Sequence, residues 1–383
     1  MIKFLVLLLT LLALIECTAS STSTPTPIVS VPKTPQERGH PTSEHVNEPT
    51  GISVTPTATV EAQASTKPTE RPTTLPEPSP STPPAAVFTS PLFSYPIGTP
   101  GKPLGEGFFI RHGAQVENTW YNPGYWHTGE DWYAIEGDTA GARVYAAADG
   151  EVVYAGANYP GRVVIVRHAD DLFSMYGHLD PKLEVAVGQN ITRGVLIGTV
   201  LRRGDATPNH LHFEIRTFLT APEINGDAPR YDFRCGVNCP PGPGYWPIGA
   251  PDLPSDLGWR NPTHVINRRM LAEGAPSEVI VATKPVSNSL TIWSAPPNGA
   301  TRTALDTLEL HPGERYALLA IDAGVEGTRE TSALAYRLWY RIELPGGRAG
   351  WVQAAVPSTF ETGSDGQPSS VYFNFFPAIE AAP

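Results

Sequence analysis

Short apolar runs, several of them rich in β-branched residues, dominate the middle of the chain and leave little room for helices. Residues 144–148 and 152–155 are two such runs, separated by an Asp-Gly turn signal, and 162–168 and 172–176 are two more, separated by a pair of aspartates. No long segment in this region repeats its apolar residues with the 3.6-residue period of a helix. The pattern predicts an all-β domain in which a mostly antiparallel sheet folds over on itself.

Histidine and carboxylate side chains that can bind a metal cluster at two places in the chain. His127 and Asp131 lie four residues apart around Gly129, and His210 and His212 lie two residues apart. Glycine lets the chain bend so that the first pair can converge, and residues two apart in a strand point to the same face. Zinc prefers imidazole and carboxylate ligands outside thiolate sites, and a catalytic zinc has three protein ligands and one open position. Four such residues facing one space would supply three ligands and one group for proton transfer.

The two clusters lie in two of three motifs that resemble those of the M23 metallopeptidases, also called the lysostaphin or LytM type. The motifs are His-Thr-Gly-Glu-Asp at 127–131, Tyr-Gly-His-Leu at 176–179 and His-Leu-His-Phe-Glu at 210–214. They occur in the family order, and the resemblance covers about residues 90 to 270. The approach to the last motif, residues 204–209, departs from the Gly-rich pattern that is frequent in the family.

The resemblance implies a metal site, a fold and an activity. By analogy, His127, Asp131 and His212 bind one Zn2+ ion per chain, and His178 and His210 are the catalytic histidines. The family fold is an antiparallel β-sheet sandwich with a groove across one face, and its members cut peptide bonds in bacterial cell walls. Which histidine is the base, and which is the acid or the oxyanion donor, stays open.

The start of the chain predicts export, either to the cell envelope or to the medium. Residues 4–15 form an almost unbroken apolar run, which is too short to span a bilayer and is typical of the core of a signal sequence over 1–19. Cys17 lies in a segment that resembles a lipoprotein cleavage box, but Glu16 is atypical of that box. Lipidation of Cys17, cleavage after Ala19 and an uncleaved anchor all stay open.

The composition of residues 20–87 predicts a disordered linker. The segment 18–87 has no aromatic residue, and more than half of it is Ser, Thr or Pro. Such a segment cannot bury enough apolar surface to offset the entropy lost on ordering. The peptidase-like domain is therefore expected over residues 88–272.

Within this domain, residues 220–258 form a Pro-, Gly- and Trp-rich insertion that is too long for an ordinary connection. Either it flanks the cleft and sets substrate choice, or it is a packed surface insertion. Cys235 and Cys239 lie in it, and in an exported chain such a pair favours a small disulfide over a metal site.

A second strand-rich unit is predicted over residues 276–358, followed by a C-terminal tail over 359–383. Two segments of this unit resemble a bacterial SH3-type barrel, namely Trp-Tyr-Arg-Ile at 339–342 and Gly-Gly-Arg-Ala-Gly-Trp-Val at 346–352. Members of that family often bind wall peptides, which implies a small SH3-like β-barrel with a targeting role. The alternative is that its tryptophans only form a core.

The formal net charge of −11 and the lack of a basic cluster argue against nucleic acid as a partner. Membrane contact is expected only through an N-terminal anchor. We predict a monomeric, exported zinc metalloendopeptidase that acts on peptidoglycan stem or cross-bridge peptides. The alternatives are a catalytically silent LytM-like regulator or wall-binding module, and a zinc peptidase that acts on other extracellular proteins.

Four residues near the motifs carry weaker expectations. His112 is a candidate for the cleft rim, and His168, at the end of a predicted strand, is expected to be structural. Trp126 and Trp132 are expected to pack beside the metal loop or to line the groove.

Overall fold

The computed structural model describes ten stretches of the chain, which are residues 92–117, 122–157, 161–204, 207–225, 230–231, 244–270, 278–297, 301–324, 336–362 and 368–378. The predicted signal sequence, the linker and the cysteine pair lie outside the described residues. Among the described residues, no helix has the length and apolar character that crossing a membrane requires.

Antiparallel strands make up nearly all of the regular structure in these stretches, which confirms the all-β prediction. The helical elements that the described residues contain are α1 (Pro262–Arg269) and one short 3-10 turn. In chain order, the strands are β1 (Ile97–Gly98), β2 (Phe108–His112), β3 (Tyr125–His127), β4 (Glu130–Ala134), β5 (Arg143–Tyr145), β6 (Gly150–Ala157), β7 (Arg162–Arg167), β8 (Phe173–Leu179), β9 (Asn190–Ile191), β10 (Leu196–Thr199), β11 (Leu211–Arg216), β12 (Tyr245–Pro247), β13 (Trp259–Arg260), β14 (Glu278–Val281), β15 (Ser289–Trp293), β16 (Ala304–Glu309), β17 (Arg315–Ala323), β18 (Leu338–Leu344), β19 (Arg348–Gln353), β20 (Ala355–Thr362), β21 (Pro368–Phe373) and β22 (Phe375–Pro377).

The largest sheet carries the three motifs. Its strand order is β20-β21-β2-β4-β11-β8-β7-β6-β9, and β13 also pairs with β11. A smaller sheet, β1-β5-β10, shares its apolar core. Strands β8 and β11 are buried along their whole length. Their polar side chains are therefore removed from water and need partners inside the protein.

The region predicted as an SH3-like barrel forms a seven-stranded sheet in the order β16-β15-β19-β18-β17-β14-β22. Its hairpin β18–β19 contains the Gly-Gly turn expected from the sequence. Membership of the SH3-like family remains a prediction.

The C-terminal segment is an integral part of the fold. Strand β21 pairs with β2, with Val371 opposite Ile110, and β22 pairs with β14. Phe373 stacks on Trp132, with ring centroids 5.7 Å apart. The prediction of a tail from residue 359 is therefore wrong for residues 368–377, because β21 extends the large sheet, β22 extends the seven-stranded sheet, and their apolar side chains belong to the core. The described residues from 92 to 378 all belong to one compact unit.

Helix α1 is tied to the motif-bearing strand β4. The Asn261 side chain caps the helix by accepting a hydrogen bond from the backbone N–H of His264 at 3.1 Å. Glu130 on β4 accepts another from the N–H of Thr263 at 3.0 Å, which satisfies a second group at the helix start. Burial raises the pKa of Glu130 to about 7, although its hydrogen bonds oppose this effect.

Candidate metal centre

Strand pairing brings the first and third motifs together. His212 on β11 lies directly opposite Asp131 on β4, and His127 ends the preceding strand β3. A β-carbon at Gly129 would lie 2.5 Å from the backbone oxygen of Phe213, so only glycine allows the loop between β3 and β4 to approach β11 this closely. The same loop sets the distance between His127 and the other two side chains.

Three of the predicted residues present ligand atoms to one point. Asp131 Oδ1 lies 3.0 Å from His212 Nδ1 and 3.2 Å from His127 Nε2. The two nitrogens are 3.1 Å apart. These spacings are close to the roughly 3.3 Å that separates the ligands of a tetrahedral zinc with bonds of about 2.0 Å. All three side chains are buried, and their donor atoms could hold a metal ion.

The outer nitrogen of each imidazole is held by an acceptor. His127 Nδ1 lies 3.2 Å from the carbonyl oxygen of Gly113, and His212 Nε2 lies 3.1 Å from Glu214 Oε1. A carbonyl and a carboxylate can only accept, so these ring nitrogens carry the protons. The inner nitrogens can then offer lone pairs beside a carboxylate, which is how protein imidazoles are oriented toward a metal. The chemistry of this donor set fits a divalent cation.

His112 supports the centre from strand β2. Its Nδ1 lies 3.2 Å from Asp131 Oδ2, the oxygen that faces away from His127 and His212. A register shift between Ile110 and His112 places His112 opposite Asp131, as β-bulges near functional sites often do. Burial alone raises the pKa of Asp131, but the electrostatic and hydrogen-bonding interactions of the carboxylate with the surrounding histidines outweigh burial and hold that pKa well below its usual range. The expectation of a rim position for His112 is wrong, since this residue is 2% exposed.

The other two predicted histidines lie next to the three potential ligands. His210 precedes β11, and its Nε2 lies 3.7 Å from Asp131 Oδ1. Its Nδ1 lies 3.0 Å from the carbonyl oxygen of Pro208 and 3.1 Å from the hydroxyl oxygen of Tyr133. Because the carbonyl accepts, Nδ1 carries the proton and Nε2 has the lone pair. Burial lowers the pKa of His210, although the charge of Asp131 opposes this effect.

His178 lies close to His210, with ring centroids 4.6 Å apart. Its backbone φ of 59° lies in the left-handed region, which residues other than glycine adopt uncommonly. Strain of this kind clusters at functional sites. The preceding Gly177 lies opposite His212, so β8 carries His178 to the edge of the potential metal site.

Glu214 organises the far side of His212. Besides His212, this carboxylate contacts the Thr128 hydroxyl at 2.6 Å, the Arg216 guanidinium at 3.2 Å and the Trp259 indole N–H at 3.1 Å. Burial raises the pKa of Glu214, but His212, Arg216 and Thr128 outweigh burial and lower the pKa to about 2. Sequence reasoning did not assign Glu214 a role, although it is the last residue of the third motif.

Aromatic residues enclose the loop. Trp132 lies in the core and donates its indole N–H to Glu130 at 3.1 Å. Trp126 lies opposite Trp246 of β12, the strand that the described part of the 220–258 insertion adds beside β3. Trp246 is buried against Trp259, with ring centroids 5.9 Å apart. The insertion therefore packs directly on the strand that ends at His127.

Comparison with known proteins assigns a class to this region. Residues 125–227 match the sequence model of Peptidase family M23. The chain thus carries a peptidase family M23 domain, which confirms the resemblance inferred from the three motifs.

Individual relatives cover only this part of the chain. The chain is 38% identical over 109 residues to the murein hydrolase activator NlpD of Escherichia coli (strain K12). This alignment covers 26% of this chain and 28% of NlpD. The chain is also 35% identical over 89 residues to the peptidoglycan DD-endopeptidase ShyC of Vibrio cholerae. This alignment covers 23% of this chain and 19% of ShyC. A solved zinc-containing peptidase from Vibrio cholerae is 28% identical, with a TM-score of 0.24 over 32% of this chain and 36% of that one. The chain spans less than a third of either curated relative.

Proposed function

We propose that the protein is an exported zinc metalloendopeptidase that hydrolyses peptide bonds in peptidoglycan. The observation that carries the proposal is the convergence of His127, Asp131 and His212 on one point, with His178 and His210 beside it. A zinc ion held by these three ligands would polarise a water molecule and the scissile carbonyl. The M23 domain and the name of the relative ShyC support a peptidase that acts on the cell wall.

The two remaining histidines handle protons in this proposal. His210 has its Nδ1 proton held by the Pro208 carbonyl, so its Nε2 can accept a proton from the attacking water. The lowered pKa keeps the imidazole neutral and ready to act as a base near pH 7. His178, on the neighbouring strand, can supply a proton to the leaving amine or hydrogen-bond the developing oxyanion.

The second candidate is a regulator of other wall enzymes. It is favoured by the similarity to NlpD, whose name describes a murein hydrolase activator. The full set of three potential ligands and two flanking histidines favours the enzyme, because a binding surface alone has no need of proton-transfer groups. In both cases we propose export through the N-terminal segment, a monomer, and a wall-binding role for the C-terminal sheet.

Hydrolysis of purified peptidoglycan by the full-length protein tests this choice. We expect wild type to release peptides and create new amino termini, and His178→Ala and His210→Ala to lose roughly a hundredfold to ten-thousandfold in rate. The exposed His311 offers a matched control, and His311→Ala should keep the wild-type rate. If wild type creates no new termini but speeds digestion by an added wall hydrolase, the protein is an activator.

A further inference from the structure

Residues 113–116, which follow strand β2, hold His127 at both its ring and its backbone. The Gly113 carbonyl lies 3.2 Å from His127 Nδ1 and so fixes the orientation of the imidazole. The N–H of Gln115 donates to the carbonyl of His127 at 2.7 Å, and the N–H of His127 donates to the carbonyl of Val116 at 2.8 Å. The position of this segment therefore sets the position of a potential metal ligand.

The C-terminal part of the chain holds this segment at two points. The Tyr336 hydroxyl accepts a hydrogen bond from the N–H of Ala114 at 2.7 Å, and the carbonyl of Ser369 accepts one from the N–H of Gly113 at 2.8 Å. A β-carbon at Gly113 would lie 2.6 Å from Tyr336 Cε2, so glycine allows the tyrosine ring to pack this closely. Both holding residues lie outside the family match at residues 125–227.

Tyr336 and His127 bind opposite ends of one peptide group. The N–H of Ala114 and the carbonyl of Gly113 belong to the same planar unit, in which the two bonds point in opposite directions. A hydrogen bond at the N–H therefore fixes the direction of the carbonyl. It also polarises the unit, which strengthens the carbonyl as an acceptor for the imidazole N–H.

The Tyr336 hydroxyl also reaches the strand that carries Asp131. Because its oxygen accepts from Ala114, its own proton is donated elsewhere, and its acceptor is the carboxylate of Glu130. Glu130 directly precedes Asp131 on β4 and holds the start of α1 through the N–H of Thr263. Tyr336 is 1% exposed, so water does not compete for either hydrogen bond. One hydroxyl thus joins the two segments that position the potential ligands His127 and Asp131.

We infer that Tyr336 is a positioning residue of the candidate metal centre, because its hydroxyl orients the Gly113 carbonyl and this carbonyl orients the imidazole of His127 toward the metal. The inference rests on the proposed function, since it assigns Tyr336 to the same zinc site. The segment just before β18 then contributes to metal binding, besides the wall-binding role proposed for the C-terminal sheet.

Metal binding by the full-length protein tests this role without turnover. Tyr336→Phe keeps the buried ring and removes only the hydroxyl. Tyr340→Phe is the matched control, because the Tyr340 hydroxyl is equally buried and its hydrogen-bond partners in the described part of the chain are Asn267, at 2.7 Å, and Tyr95. Zinc affinity is measured by competition with a chelator. The visible absorption of cobalt(II) bound in place of zinc reports the coordination geometry.

We expect Tyr336→Phe to weaken zinc binding by about threefold to tenfold and to change the cobalt spectrum. This loss is smaller than that for a direct partner of a ligand, because the hydroxyl acts through the Gly113 carbonyl. Tyr340→Phe should keep the wild-type affinity and spectrum, although both variants lose buried hydrogen bonds.

Wild-type affinity and spectrum in Tyr336→Phe would overturn the inference and leave the metal centre standing. Equal changes in the two variants would also overturn it, since they would report a general effect of losing a buried hydroxyl. Failure of wild type to bind either metal would refute the metal centre and the inference with it. The expected difference in a protein that cleaves no peptidoglycan would sustain the inference and refute the peptidase.

Discussion

The candidate metal centre and the C-terminal strands both contact strands β2 and β4, but different forces hold them there. The candidate centre is a buried polar cluster in which His112 hydrogen-bonds Asp131 and His212 hydrogen-bonds Glu214, while His212 Nδ1 lies 3.0 Å from Asp131 Oδ1. The C-terminal strands contribute apolar rings, with Phe373 stacked on Trp132. Buried polar networks set chemistry but contribute little net stability, whereas buried aromatic rings are among the largest stabilising groups. We therefore expect substitutions in the two regions to separate function from stability.

The largest expected effect is on stability, from Phe373→Ala. This side chain is 3% exposed and packs between Trp132 and Tyr95 of the peptidase-like region. Its loss should lower the free energy of unfolding by about 3–5 kcal/mol. Denaturant unfolding followed by tryptophan fluorescence measures this change, with Leu319→Ala, on a 45%-exposed leucine of β17, as the control. A loss no larger than that of the control would mean that the C-terminal strands are dispensable for the core.

The next effect is acid destabilisation through His168. Its Nε2 contacts Ser174 at 2.7 Å, and burial lowers its pKa to about 4 although the carbonyl of Asp149 opposes this effect. In the unfolded chain the pKa is near 6.5, so the unfolded state binds a proton first as the pH falls. The contribution of His168 to the free energy of unfolding should be fully present above pH 6.5. It should fall by about 3 kcal/mol as the pH is lowered from 6.5 to 4.

Unfolding at a series of pH values, for wild type and His168→Gln, isolates this contribution. The variant should be less sensitive to pH in that window. Because the described residues of both regions belong to one compact unit, probes in both regions should report the same midpoint of unfolding. Separate midpoints for the C-terminal sheet and the peptidase-like region would contradict a shared core.

The smallest expected effect is on zinc affinity and concerns His112 in the candidate metal centre. His112→Ala removes the hydrogen bond to Asp131 Oδ2. Loss of such an outer partner should weaken zinc affinity about tenfold to a hundredfold. His112→Gln can still donate a hydrogen bond and should lose less. Competition with a zinc chelator measures both variants, and equal wild-type affinity in both would remove His112 from the network.

Sequence reasoning could predict which side chains meet at the candidate centre because each motif is local. The spacing of His127 and Asp131 around Gly129 and the alternation of His210 and His212 fix which side chains can converge. The role of His112 depends on a register shift in β2, and a one-residue shift leaves no mark in local composition.

The C-terminal strands escaped prediction for a related reason. Strand β21 pairs with β2 across more than two hundred residues of chain, as the 259-residue separation of Ser370 and Arg111 illustrates. Such pairing depends on long-range packing rather than local propensity. For this reason the sequence predicted a tail over this segment.

Zinc content in the full-length protein tests the central claim most directly. Elemental analysis of wild type, His178→Ala and His212→Ala, purified side by side, compares a proposed ligand with a proposed proton-transfer group. Our account predicts one zinc per chain in wild type and His178→Ala, and a sharp loss of zinc in His212→Ala, because only the last removes a bond to the metal. Stoichiometric zinc in His212→Ala, or its loss from a folded His178→Ala, would contradict the assignment.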